Sequence, residues 1–333
     1  MTDDTKPFLA LAVGDPAGIG PELAAKLIAD PEVAAMADLL VIGDARVMCR
    51  AAEIAGTALD LPVINRAEDA ARGRSQMLDL GHLDPDALPV GVASAEGGRF
   101  ALENFRTALL LTQQGVTDAV CFTPFNKAAM KMAAGRYDDE MGFINSVLGI
   151  EPVASEFNVL ENLWNARVTS HVPLSAVAEL ITRERVLRSI KLTHDNLRSS
   201  GFTRPRIAVA GLNPHAGDGG NFGHEDDREI RPAVEDAQAQ QIDVEGPFSP
   251  DTVFVRATKG AYDAVLTMYH DQGQIAMKLI GFDRGVTLLG GYPFPICTPA
   301  HGSAYDIAGR GVASLGASRA AALLAARMAS ART

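Results

Sequence analysis

Three histidines stand in short segments that read as binding loops. His171 lies in Val168-Thr169-Ser170-His171-Val172-Pro173-Leu174, His215 in Gly211-Leu212-Asn213-Pro214-His215-Ala216-Gly217, and His270 in Met268-Tyr269-His270-Asp271-Gln272-Gly273. Each closes a run that reads as a strand. Neutral imidazoles arriving from three strand ends can bind one divalent ion and leave coordination positions open for a substrate, as a catalytic metal site requires. Singly, each is more often an ordinary structural or hydrogen-bonding histidine, and their shared context is what raises the metal reading. His224, beside Glu225-Asp226-Asp227, reads instead as part of a solvated helix start. Asp251, in Ser249-Pro250-Asp251-Thr252, and Asp271 could relay a proton or orient a ligand imidazole. The plainer roles are a cap or turn for Asp251 and a backbone-bonded loop residue for Asp271. Lys127 and Lys278 follow apolar runs and could pair with a substrate carboxylate, although a lone lysine is usually just solvated.

Two further segments combine glycine with chemistry. Val13-Gly14-Asp15-Pro16-Ala17-Gly18-Ile19-Gly20-Pro21-Glu22 follows an apparent strand and opens an apparent helix. Its glycines permit close backbone approach to a ligand, and the helix start can offer N–H groups to an anion. It is neither a P-loop nor a Gly-x-Gly-x-x-Gly fingerprint, and a tight packing turn explains it as well. The second segment runs His301-Gly302-Ser303-Ala304-Tyr305-Asp306-Ile307-Ala308-Gly309-Arg310-Gly311.

The elements that must position these residues alternate between short apolar runs and longer amphipathic stretches. Phe8–Val13, Leu39–Ile42, Ala119–Phe122, Ile207–Ala210 and Ala264–Met268 read as strands, several ending in Gly, Asn, Pro or His. That is the pattern of an α/β protein, in which ligand sites gather at the carboxyl ends of strands. Helices are expected over Pro21–Ala29, Val47–Ala55, Leu174–Ile190 and Ser318–Arg332. From about Lys127 to Gly201 charged helical patterning mixes with β-leaning runs, whereas the N-terminal section and the region after Ala300 are rich in Gly and Ala. A domain built from both chain ends, residues 1–126 plus 295–333, with a second domain of residues 127–294 inserted, accounts for this contrast.

Composition sets the outer bounds. With 333 residues, 47% hydrophobic content and mean hydropathy of +0.06, the chain can bury a substantial core. No stretch approaches the roughly 18 consecutive apolar residues of a membrane span. Met1-Thr2-Asp3-Asp4 is acidic where a secretory signal would be basic, so a cytoplasmic location is expected. Cys49, Cys121 and Cys297 are too few and too scattered for a disulfide framework or a Cys-type zinc site. A formal charge of −11 argues against nonspecific nucleic-acid binding, and an anionic ligand would need local positive charge or a metal.

Taken in order, Gly14–Glu22, Ser170-His171-Val172-Pro173-Leu174, Asn213–Gly217, Tyr269–Gly273 and His301-Gly302-Ser303-Ala304 resemble the 4-hydroxythreonine-4-phosphate dehydrogenase family of vitamin B6 biosynthesis over nearly the whole chain. The resemblance implies a two-domain α/β/α architecture shared with isocitrate and isopropylmalate dehydrogenases, with the active site in the interdomain cleft. The end-built domain would lie on the cofactor side and the inserted one would carry the metal and the dimer contact. It further implies a homodimer that completes each site from both subunits. His171, His215 and His270 match the family's metal ligands, drawn from two subunits; Lys278 matches a substrate-contacting lysine, and Asp251 and Asp271 match acidic active-site residues. The implied chemistry is NAD-dependent oxidation of a β-hydroxy acid, assisted by a divalent ion such as zinc, magnesium or cobalt, with loss of carbon dioxide.

Where substrate would bind, this chain departs from the family pattern. Tyr137-Asp138-Asp139-Glu140 aligns with a Gly-His-Thr-Glu segment, Thr287 stands in place of a substrate-contacting asparagine, and Ile296 in place of an arginine that holds phosphate. The expectation is poor handling of 4-hydroxythreonine 4-phosphate relative to another β-hydroxy acid, for instance a non-phosphorylated, carboxylated aromatic cis-dihydrodiol. Gly18, His301, Asp306 and Ile307 are the cofactor candidates, since Asp-Ile after the His-Gly-Ser-Ala motif favours NAD over NADP in similar enzymes. A binding module that keeps the fold without turnover is the alternative of another class, against which the intact metal and acidic positions argue.

Overall fold

The computed structural model describes residues 6–161 and 163–332, and the acidic start Met1 to Asp4 lies outside them. The chain divides into two compact units, one running to Pro152 and resuming at Tyr292, the other spanning Val153–Gly291. The fold is α/β throughout. In the first unit β1 (Phe8–Ala12), β2 (Asp38–Gly43), β3 (Val63–Ile64), β4 (Gln76–Asp79), β5 (Ala119–Phe122) and β12 (Ile296–Pro299) form parallel pairs in the order β3-β4-β2-β1-β5-β12. β1 and β5 are buried at every position, as expected where helices cover both faces of a parallel sheet.

In the second unit β6 (Ser155–Leu160), β7 (Leu163–Arg167), β8 (Ile207–Ala210), β9 (Val244–Phe248), β10 (Ala264–Thr267) and β11 (Val286–Gly290) follow the order β11-β6-β7-β10-β8-β9. Here β11, β6 and β7 pair antiparallel, and β7, β10, β8 and β9 pair parallel. The expected strand and helix at the N-terminal loop are both present, with the helix at Gly20–Ile28. The single helix expected over Leu174–Ile190 is instead two, Leu174–Leu180 and Arg183–Ser199. Thr182 causes the break: it leaves the helical region and its hydroxyl accepts from Arg185 N at 3.3 Å, capping the second helix.

The first unit extends past the expected boundary at residue 126, because the segment 127–152 is packed by apolar contact with it. Phe105, on the helix Ala95–Gln113, stacks on Phe143 of the helix Glu140–Leu148 with ring centroids 5.7 Å apart, and tilts against Phe122 and Phe125. Gln113 donates to Leu148 O, and the Tyr292 hydroxyl donates to Asn145 Oδ1 at 2.9 Å. The helix Lys127–Ala134 crosses Ala95–Gln113 where Gly98 stands, and a Cβ there would lie 2.0 Å from Ala129 O. Gly98→Ala should therefore force the two helices apart and destabilise the fold by about 1–3 kcal/mol, the usual penalty of overpacking. A thermal melt reads this as a lowered Tm, and an unchanged Tm would show that the crossing is not close-packed.

Candidate active site

The histidine sites grow out of the parallel pair β7–β10. Register places Trp164 beside Ala264 and Arg167 beside Thr267. Pairing continues beyond the strand ends: Val168 N donates to Thr267 O at 2.9 Å, while Thr169 donates through both its N–H and its hydroxyl to Met268 O. His171 and His270, each two residues further on, consequently emerge side by side with ring centroids 5.6 Å apart and planes at 40°. His171 sits at φ 25°, a left-handed conformation that costs a residue with a Cβ and is commonest where function holds it. His270 opens the helix His270–Gly281, and its Nδ1 lies 2.6 Å from the Asp271 carboxylate. A proton on Nδ1 shared with Asp271 would leave Nε2 free as a coordinating atom.

His215 sits apart from this pair in the described chain. Its loop contains successive left-handed residues, His215 at φ 53°, Ala216 at 53° and Asp218 at 44°. The fully buried Asp226 anchors the loop by accepting from Leu212 N, Asn213 N and Asn213 Nδ2. The acidic stretch after His224 is thus not wholly a solvated helix start. His215 is exposed, with Phe222 at 6.1 Å. The Asp251 carboxyl is held below its ordinary range chiefly by the Ser249 hydroxyl, which donates to it at 2.6 Å. Among the described residues, no three His, Cys, Asp or Glu side chains converge as a ready metal site.

The substrate candidates fall in both units. His270, Gln274 and Lys278 fall four residues apart along one helix face, with Lys278 exposed. Thr287 lies half-buried on β11 opposite Asn158. Asp138 is exposed beside Arg136, and Asp139 is the N-cap of Glu140–Leu148, accepting from Gly142 N at 2.7 Å. Asp139 is therefore occupied locally, and Ile296 is a fully buried member of β12 paired with Val120, a core residue rather than a ligand surface. Lys127 pairs with Glu140 at 3.5 Å.

The glycine-rich loop is stapled to the segment carrying His301. Ile19 N donates to Ser303 O, and a Cβ on Gly18 would meet that same oxygen at 2.6 Å. Glu22 and Lys26, one turn apart on the helix, respectively accept from Gly311 N and Ala313 N and donate to Gly311 O and Ala313 O. The Tyr305 hydroxyl donates to Asp15 at 2.6 Å, and burial pushes the pKa of Asp15 up against this bond and that from Ala17 N. Ile307 packs on Ile19, Leu23 and Ala313, so its side chain is structural, whereas Asp306 is exposed. An apolar crevice beside the loop is lined by Pro16, Gly18, Pro21, Val47, Ile54 and Gly309. Sequence reasoning overlooked Tyr305 and Lys26, whose partners are 290 and more than 280 residues distant.

Known proteins match this chain along most of its length. A relative from Rhizobium meliloti, provisionally named 4-hydroxythreonine-4-phosphate dehydrogenase 2, is 55% identical over 98% of this chain and 95% of its own. One from Symbiobacterium thermophilum, provisionally named D-threonate 4-phosphate dehydrogenase, is 42% identical over 93% of each. The crystal structure of a 4-hydroxythreonine-4-phosphate dehydrogenase from Burkholderia phymatum superposes with a TM-score of 0.82 at 35% identity, covering 98% of this chain and 99% of that one. Residues 35–325 match the family described as pyridoxal phosphate biosynthetic protein PdxA, and the chain belongs to that family.

Proposed function

We propose that this protein is an NAD- and divalent-metal-dependent dehydrogenase that oxidises the hydroxyl of a phosphorylated β-hydroxy acid, with decarboxylation of the product. The observation that carries this reading is the convergence of His171 and His270 at adjacent strand ends. Two neutral imidazoles, one oriented by Asp271, suit a borderline divalent cation. A third ligand, His215 from a second copy of the chain, would complete the set in a homodimer. Exposed Ile275 and Leu279, one turn apart on the helix His270–Gly281, supply apolar surface for such a contact. When bound, the metal would supply Lewis acidity to the substrate hydroxyl and stabilise negative charge on that oxygen as carbon dioxide leaves.

The remaining roles fall to the chain itself. Lys278 attracts the anionic substrate, and Thr287 offers it a hydroxyl. Asp251, oriented by the Ser249 hydroxyl and held below the usual carboxylate range by it, would take the proton. Gly18 and His301 contribute to the cofactor pocket, and the exposed Asp306 accepts from the adenosine ribose. The names of the relatives favour a phosphorylated substrate, while Asp138, Asp139 and Ile296 favour one other than 4-hydroxythreonine 4-phosphate. NADH formation should therefore be measured with D-threonate 4-phosphate, 4-hydroxythreonine 4-phosphate, their dephosphorylated forms and a carboxylated aromatic cis-dihydrodiol. The highest kcat/KM is expected for a phosphorylated acid other than 4-hydroxythreonine 4-phosphate, and no turnover of any member would defeat the assignment.

Metal dependence has its own test. Chelation should abolish turnover, an added divalent ion should restore it, and His171→Ala, His215→Ala or His270→Ala should each purify without bound metal. Mixing unfolded His215→Ala and His270→Ala chains and refolding them together should recover part of the activity, because one site of the mixed dimer regains all three ligands. No recovery would mean that each chain builds its own site.

Cofactor choice follows from Asp306. A carboxylate there accepts from ribose hydroxyls and repels a 2′-phosphate, so NAD should be preferred over NADP by at least about tenfold in kcat/KM. Asp306→Ala should narrow that ratio; equal efficiency of the wild-type protein with both cofactors contradicts the role.

A further inference from the structure

One face of the second unit's sheet changes character along its strands. Register pairs Asn158 with both Asn165 and Thr287, and Arg167 with Thr267, so these side chains share a face with Glu156. Further along the same face Leu160, Leu163 and Val265 pack with Met277 on the helix His270–Gly281. The face is therefore apolar under the later turns of that helix and polar under its first turns. Arg167 is the centre of the polar half, its side chain only 1% exposed. Its Nη2 donates to Glu156 Oε2 at 2.5 Å and its Nη1 to Asn158 Oδ1 at 2.9 Å, and the same oxygen accepts from Gln274 Nε2. Arg167 Nε is buried and has no hydrogen-bond partner among the described residues.

Nε and Nη2 form one edge of the guanidinium, shaped for two oxygens of a single oxyanion. Glu156 fills half of that edge with one oxygen and is itself 18% exposed, so it can swing outward. A purely structural pair would gain nothing from the idle N–H, and leucine and valine already pack the neighbouring stretch of this face. The surroundings are those of the candidate site. Arg167 lies four residues before His171 and beside Thr267, three before His270; Gln274, which shares Asn158 with it, stands between His270 and Lys278 on one helix face.

We propose that Arg167 is a specificity-determining residue whose Nε–Nη2 edge binds the oxyanion at the end of the substrate remote from the reacting hydroxyl, with Glu156 as the stand-in carboxylate that this oxyanion displaces. The inference rests on the β-hydroxy acid reading of the site and assigns the guanidinium that Ile296 does not supply. The anion is a phosphate or a second carboxylate, and the two are told apart by the substrate series.

The test uses the full-length protein with Arg167→Lys and Glu156→Gln. A lysine keeps the charge and loses the two-pronged edge, so kcat/KM should fall at least about ten times more for the substrate bearing the remote oxyanion than for its counterpart without it, mainly through KM. Glu156→Gln, which removes the competing charge, should lower KM for the former substrate. A phosphate-specific loss identifies phosphate, and an equal loss with a dicarboxylate identifies a carboxylate. Because turnover could fail for reasons of the general assignment, inorganic phosphate and malonate binding should also be measured by calorimetry. Binding by the wild-type protein that weakens in Arg167→Lys and strengthens in Glu156→Gln supports the proposal even without turnover. Equal losses with and without the remote oxyanion, or anion binding insensitive to both substitutions, would show that the pair only holds the sheet together.

Discussion

The second unit depends on the register of β7 against β10. A slip of one residue would turn every side chain of these strands to the opposite face and separate His171 from His270. Asn165 opposes such a slip from within the sheet: its Nδ2 lies 3.0 Å from Ala166 O and Val265 O and 3.2 Å from Thr267 Oγ1. Two amide hydrogens serve three acceptors, all near the strand ends. The helix that starts at His270 can lie over this amide only because residue 273 is glycine, since a Cβ would fall 2.1 Å from Asn165 Oδ1. Gln272 extends the tie by accepting from Met268 N and donating to Gly211 O, at the end of β8. One buried side chain and one missing methyl thus align two histidines that are 99 positions apart in the sequence.

The backbone conformations at His171 and His215 make sense against that rigidity. Left-handed φ at a residue with a Cβ costs of order 1 kcal/mol or more and persists only where surroundings over-determine it. At His215 the surroundings are the three donations collected by Asp226; at His171 they are the paired Val168 and Thr169 just upstream. The first unit reaches similar fixity by other means, with Glu22 and Lys26 reading the backbone of residues 311–313 in both polarities.

Much of this was legible in the sequence where the signal was local. Apolar runs ending in turn residues gave β1, β5, β8 and β10, and the capping-compatible Pro21 gave the first helix, because burial and termination leave short-range marks. The helix break at Thr182 was less legible, since continuous amphipathic spacing masked a cap. The first boundary was misplaced because charged patterning after Lys127 hid the aromatic contact between Phe105 and Phe143. At the site, the histidine contexts pointed to strand ends, but their pairing is a matter of register that spacing does not encode. Asp139 also caps the helix Glu140–Leu148 and Ile307 also packs on Ile19 and Leu23, local roles that their motifs did not announce.

Arg167 shows why chemistry is easier to read than specificity. The loop motifs announce themselves through glycine, proline and histidine in unusual order, because backbone turns and metal ligation demand particular residues. The specificity candidates lie inside strands, where Glu156-Phe157-Asn158-Val159 alternates polar and apolar as any strand with one wet face would. Alternation reveals that two faces differ, and it is silent on which is covered. Here the helix His270–Gly281 covers the polar one, so residues that look solvated become a buried, hydrogen-bonded group with one donor to spare. The same covering helix carries His270 at its start, so the spare donor and that histidine are held by one element.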